Sequence, residues 1–169
     1  MRRVLAVITL MLSTSVALAD KAYLFVEDGG KLKPPPREVV AALANPHVLG
    51  NDDKFCKLVG KRISLTGSTT PGDYFVTTAN GCSWGSAAGP FWLVHRTKNS
   101  YMEVLESGGA MLRLKDETRH GLKSIVVIEG NAGVYGEDHL EFDGKKYQVK
   151  WSRHGSRADW CGESCPEGE

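Results

Sequence analysis

The pattern of apolar and polar positions changes character near Lys61. Before it, apolar residues come in a short strand-like block and two helix-like groups. After it, they alternate or run in short continuous blocks, as strands require. Ala22 to Val26 is a short apolar run that predicts a first strand or a tether onto the core, followed by the turn signal Glu27-Asp28-Gly29-Gly30. Pro34-Pro35-Pro36 predicts extended, polyproline-like chain. Pro36 then opens a short helix over Arg37 to Ala44, with Val39, Val40 and Leu43 as its apolar stripe and Asn45-Pro46 as its stop. Asn51-Asp52-Asp53 offers capping side chains for a second short helix carrying Phe55, Cys56, Leu58 and Val59, with Gly60 after it.

From Lys61 the reading is β. Ile63 and Leu65 share one face of an alternating stretch. Tyr74 to Thr78 suits a half-buried strand and Phe91 to Val94 a second, joined by a glycine-rich loop that holds Cys82 and Trp84. Tyr101 to Leu105 and Met111 to Leu114 flank Ser107-Gly108-Gly109, which reads as a hairpin turn. Lys115 to Gly121 is polar throughout and predicts an exposed loop. Ile125 to Ile128 predicts a strand covered on both faces. Asp143-Gly144 lies between alternating runs, the signature of a tight hairpin, with Tyr147, Val149 and Trp151 on one face beyond it. The sum is a mainly β protein, an antiparallel sandwich or partly closed barrel with two short N-terminal helices. Its parts are residues 20–60, a strand and helices covering the core; 61–151, the β domain; and 152–169, a polar C-terminal tail.

The N-terminus adds a compartment. Arg2 and Arg3, the apolar run Val4 to Leu12 and Ala17-Leu18-Ala19 have the order of a secretory signal peptide over residues 1–19, and the run is too short for a membrane span. Its removal takes away two arginines and no acid, turning the formal charge of +1 into −1. That balance argues against nucleic acid as a partner and against polybasic membrane attachment. Cys56, Cys82, Cys161 and Cys165 all lie beyond the signal, so an exported chain should carry them as disulfides. Four cysteines allow three pairings. Cys56–Cys82 and Cys161–Cys165 are expected, the first pinning the helical cover to the central loop, the second closing a small ring in the tail.

Candidate chemistry is sparse. The five histidines, His47, His95, His120, His139 and His154, show no metal-ligand spacing, and no metal or cofactor is expected. Asn51-Asp52-Asp53 lacks the glycine and glutamate of a calcium loop. Gly81-Cys82-Ser83-Trp84-Gly85 has the wrong frame for a nucleophile elbow. Trp160-Cys161-Gly162-Glu163-Ser164-Cys165 spaces its cysteines one residue too far for a redox pair and lacks a following helix. No phosphate-cradling glycine loop occurs.

The segments GDYFVTT, NGCSWG, GPFWLV, HGLKSIVV and FDGKKY resemble a group of small exported bacterial β-proteins, over roughly Lys61 to Trp151. The last two segments also resemble single blades of FG-GAP-type propeller repeats. The resemblance speaks to fold rather than activity. Calcium binding is not implied, because Glu117, Thr118, Arg119 and His120 stand where the spaced aspartates of such blades would be.

Export, small size, disulfides and recognition loops on a rigid scaffold lead to a non-catalytic binding protein, periplasmic or secreted. An inhibitor or immunity factor against a cell-wall-targeting enzyme fits these features, with Trp84, Ser86, Arg119 and His120 as the contact residues and a protein of the cell envelope as partner. Two alternatives stand beside it. One is a small secreted hydrolase using His95 or His120 with a carboxylate; the other is a structural accessory of the envelope.

Overall fold

The computed structural model describes residues 21–24, 32–43, 56–79, 82, 88–131 and 134–156. In chain order the strands are β1 (Lys21–Leu24), β2 (Leu58–Ile63), β3 (Asp73–Thr78), β4 (Gly89–Arg96), β5 (Tyr101–Gly109), β6 (Met111–Arg119), β7 (Leu122–Asn131), β8 (Val134–Phe142) and β9 (Tyr147–Ser156). Helix α1 (Arg37–Ala42) lies between β1 and β2. The strands form two open antiparallel sheets, one ordered β1-β6-β7-β8-β9 and the other β2-β3-β4-β5. The mainly β, sandwich form of the expected fold is therefore the observed one, and neither sheet closes into a barrel.

Alternation decides what lies between the layers. Ile63, Phe75, Phe91, Leu93 and Leu105 from the four-stranded sheet meet Leu112, Leu114, Ile125, Val127 and Leu140 from the five-stranded one. Each such side chain contributes roughly 1.5–3 kcal/mol by leaving water. The opposite face of the four-stranded sheet carries Tyr74, Val76, Trp92 and Val94, and α1 covers them with Val39 and Leu43. The molecule thus has three layers: α1, the four-stranded sheet and the five-stranded sheet. Strand β3 is buried along its whole length because it is covered from both sides. The sequence suggested only half-burial there.

Several elements depart from the sequence reading. Helix α1 ends at Ala42, and Val40 points outward at 36% exposure, so of the expected stripe Val39 and Leu43 face the core, with Ala42 packed beside them. The second helix is not formed where it overlaps the described residues: Leu58 and Val59 pair with Thr78 and Thr77 in β2. Residues 51–55 lie outside the described part. Ser107-Gly108-Gly109 is no hairpin turn. It is the end of β5, paired with Phe91, Pro90 and Gly89, and the chain crosses at Ala110 into the other sheet. A Cβ on Gly109 would sit 2.8 Å from Val127 Cγ1 and 3.2 Å from Ile128 O, so the corner needs a residue without one. The polar stretch after Lys115 is strand up to Arg119, because a ladder needs no apolar side chains on a face that meets water. Strand β9 likewise runs past Trp151 to Ser156, so the first part of the polar tail is sheet.

The expected Cys56–Cys82 disulfide is present, with Cα atoms 5.7 Å apart. It joins the residues flanking the β2–β3 hairpin, where Ala79 N–H also donates to Lys57 O at 2.7 Å. The bond therefore staples the open end of a hairpin rather than a helix to a loop. Cys161 and Cys165 lie outside the described residues. The double variant Cys56→Ser/Cys82→Ser is expected to lose about 3 kcal/mol of stability through restored chain entropy in the unfolded state. Urea unfolding of the oxidised proteins measures this, and an unchanged midpoint would show the staple to be energetically idle.

Candidate functional site

A cavity of about 530 Å³ lies between α1 and the β4–β5 connection, with Glu38, Ala42, Arg96 and Tyr101 in its lining, and two smaller cavities lie on the five-stranded sheet. The β6–β7 connection of that sheet is a two-residue turn, His120-Gly121, between the paired Arg119 and Leu122. Both turn residues have positive φ, 48° and 87°, as a tight hairpin of matching twist requires. This turn fixes two of the expected contact residues. Arg119 and His120 are exposed and border a depression of about 150 Å³ with Glu141, Asp143, Gln148 and Lys150. Arg119 Nε lies 3.6 Å from Glu141 Oε1, a loose surface pair worth little by itself. The other two expected contact residues, Trp84 and Ser86, lie outside the described residues.

A second cavity, of about 270 Å³, adjoins the first and shares Glu141 and Lys150 with it. It spans four strands, with Lys115 and Glu117 from β6, Ser124 from β7 and Trp151 from β9. Trp151 is 49% exposed and stacks on His139, ring centroids 3.5 Å apart and planes 20° from parallel. The imidazole is itself held by Glu137, whose Oε1 lies 2.9 Å from Nε2. Alternation from Tyr147 places Trp151 on one face with Tyr147 and Val149. The register shows why it is not found there: Leu140 opposes Val149 while His139 opposes Trp151, leaving Lys150 as the extra residue of a bulge. One inserted residue turns every following side chain to the other face. Val149 is 54% exposed, so of the three only Tyr147 is in the core.

The Asp143-Gly144 turn at the edge of this face differs in detail from the expected one. The tip is Gly144-Lys145, because Asp143 N–H donates to Lys146 O at 3.0 Å. Gly144 carries the positive φ, and the Asp143 carboxylate accepts from the N–H groups of Lys146 and Lys145 at 2.8 and 2.7 Å. Those two bonds hold its carboxyl below the usual carboxylate range.

A separate constellation lies at one end of the sandwich. Asp73 is 2% exposed and its carboxylate accepts from three donors: Leu65 N–H at 2.7 Å, Arg96 N–H at 3.0 Å and His95 Nδ1 at 2.7 Å. Two of the three donors are backbone, so the carboxylate ties the loop after β2 to the end of β4. Across the gap, Lys123 N–H donates to Leu65 O at 2.6 Å and Tyr147 O–H donates to Lys123 O at 2.7 Å. Lys146 Nζ reaches Glu103 Oε1 at 3.0 Å, a second link between the sheets beside the Lys123–Leu65 bond. Burial, and then the nearby charge of Asp73, push the Tyr147 phenol far above its ordinary value. Among the described residues His95 has no hydroxyl or thiol partner, and no three His, Cys, Asp or Glu side chains gather as metal ligands. No described helix is long and apolar enough to cross a membrane.

Compared with protein-family models, curated proteins and solved structures, the chain matches none.

Replacing Asp73 by Asn keeps the shape but turns one acceptor oxygen into a donor that faces donors. A loss of about 2–3 kcal/mol is expected, and chemical unfolding measures it. A loss no larger than that of a surface substitution would remove Asp73 from its role as a fastener. Tyr147 sets a pH limit. Its folded pKa is raised above the unfolded value of about 10, so its contribution is complete below that pH and declines as pH rises through the alkaline range. Unfolding midpoints should therefore fall above about pH 10, and Tyr147→Phe should flatten that fall while lowering stability near neutrality.

Proposed function

We propose that this is a non-catalytic binding protein of the bacterial cell envelope, periplasmic or secreted. Its target is a protein, and the specific form proposed is an inhibitor or immunity factor directed at a cell-wall-attacking enzyme. The observation that supports this best is the outer face of the five-stranded sheet. There a half-exposed tryptophan, immobilised on His139, stands beside the Arg119-His120 turn among charges of both signs. Trp and Arg are the residues that most often anchor protein interfaces, and rigid anchors lose little entropy on binding. The signal-like N-terminus and the Cys56–Cys82 bond support an oxidising compartment. Nucleic acid is not among the proposed partners.

The alternative of a small hydrolase rests on His95 with Asp73. Two of the three hydrogen bonds to the carboxylate come from backbone groups, which supports a fastener better than a catalytic dyad. His120 lies on an exposed turn well suited to contact. The decisive measurement is lytic activity of a panel of peptidoglycan hydrolases with and without the signal-free protein. Inhibition of at least one is expected. Arg119→Glu and Trp151→Ala should each weaken it tenfold or more, about 1.4 kcal/mol or above. No inhibition across the panel, with the protein instead sedimenting with cell-wall sacculi, would replace this reading by that of a structural accessory.

A further inference from the structure

The Ser124 residue is 7% exposed and lines the 270 Å³ cavity, yet its Oγ is buried without a hydrogen-bond partner. A buried hydroxyl left unpaired costs about 1–3 kcal/mol, so it needs a reason. Sequence does not demand a hydroxyl here. Ile125, Val126 and Val127, which follow it on β7, are apolar and fully buried, and alanine would fill the same space without the cost. The remaining walls give the reason a shape. Lys115 and Lys150 bring two positive charges, and Glu117 and Glu141 two negative ones. Their formal sum is zero, which disfavours a phosphate-like anion or a divalent cation. Such a lining offers donors and acceptors together, beside one flat aromatic, Trp151.

We infer that this cavity is a binding site for a neutral saccharide ring. A pyranose has the matching chemistry. Its hydroxyls each donate and accept, so they can satisfy ammonium, carboxylate and the Ser124 hydroxyl at once. Its C–H face is apolar and rests on an aromatic plane. The volume falls just below the usual range of ligand pockets, which fits one ring rather than a long chain lying flat. The stack on His139 holds the Trp151 plane in place before any ligand arrives, so little ordering remains to be done on binding. The inference concerns the cavity alone and does not depend on the partner protein proposed above. The ring is either a free sugar or one unit of a cell-wall glycan, and the chemistry of the site is the same for both.

The test uses the signal-free protein and isotope-edited NMR. Glucose, galactose and N-acetylglucosamine form one arm, and soluble peptidoglycan fragments form the other. Saturable shifts are expected at the amides of Ser124, His139 and Trp151, with quenching or enhancement of tryptophan fluorescence. Ser124→Ala should weaken binding about fivefold, the loss of one hydrogen bond. Because it also removes an unpaired group, it should not lower the unfolding midpoint without ligand. Trp151→Ala should abolish binding. Binding of fragments without monosaccharides assigns the site to glycan, and the reverse assigns it to free sugar. The inference is overturned if neither arm shifts these amides into the high millimolar range. It is also overturned if Ser124→Ala binds as the parent does, or destabilises the protein, which would give the hydroxyl a structural partner. Hydrolase inhibition sensitive to Arg119→Glu, with no sugar binding, would retain the partner reading and reject this one.

Discussion

The arrangement depends on the place where the chain changes sheets. Strand β5 ends and β6 begins across the single residue Ala110, so the backbone has almost no length in which to turn. It succeeds because Gly109 brings its bare Cα against Val127 and Ile128 O, and Ala110 N–H donates to Ile128 O at 2.8 Å. That corner sets the spacing of the layers and places Leu112 and Leu114 opposite Phe75 and Phe91 in one core. The far end needs polar fasteners instead. Asp73 holds the loop after β2, and Tyr147 and Lys123 tie it to the second sheet. One end of the sandwich is closed by backbone approach and the other by the Lys123–Leu65 bond, which a buried carboxylate braces from one side and a phenol from the other.

Much of this was legible along the chain. Tyr74 to Thr78, Phe91 to Val94 and Ile125 to Ile128 announce strands by composition, and they lie in the middle of their sheets. The Cys56–Cys82 pairing was legible from the position of the two residues. What failed did so for identifiable reasons. Leu58 and Val59 are adjacent apolar residues behind good capping side chains, a pattern that fits a short helix as well as a strand. Ladder pairing with Thr78 and Thr77 decided it. Gly108-Gly109 signals a turn because glycine usually does, but here its service is close approach. Lys115 to Arg119 looks like a loop because a solvent-facing strand with charged side chains carries no apolar rhythm.

The candidate site was less legible than the fold. Arg119 and His120 stand out in the sequence because a polar stretch ahead of glycine is conspicuous. Period-two alternation from Tyr147 puts Trp151 on the same face as Tyr147 and Val149. A bulge has no reliable signature in a single sequence, yet it moves Trp151 onto His139 and creates the surface on which the functional proposal rests. Ser124 is equally silent. A serine before Ile125 says nothing of burial until Lys115, Glu117 and Lys150 from neighbouring strands surround the same cavity.

The pairing of β1 with β6 bears on how the molecule comes to be. Lys21 lies opposite Leu114 and Leu24 opposite Met111, so the first strand to emerge waits for the sixth before its ladder can form. Until then it is an unpaired ribbon of backbone donors and acceptors, and so is the β6 edge it will cover. Such non-local pairing slows folding and lengthens the interval in which strangers can add to the sheet. The last strand to arrive, β9, is rich in Gln148, Lys150, Arg153 and His154, a composition that discourages a further strand from docking beside it. Assembly is thus guarded at the late edge by charge, while the early edge relies on β1 returning in time.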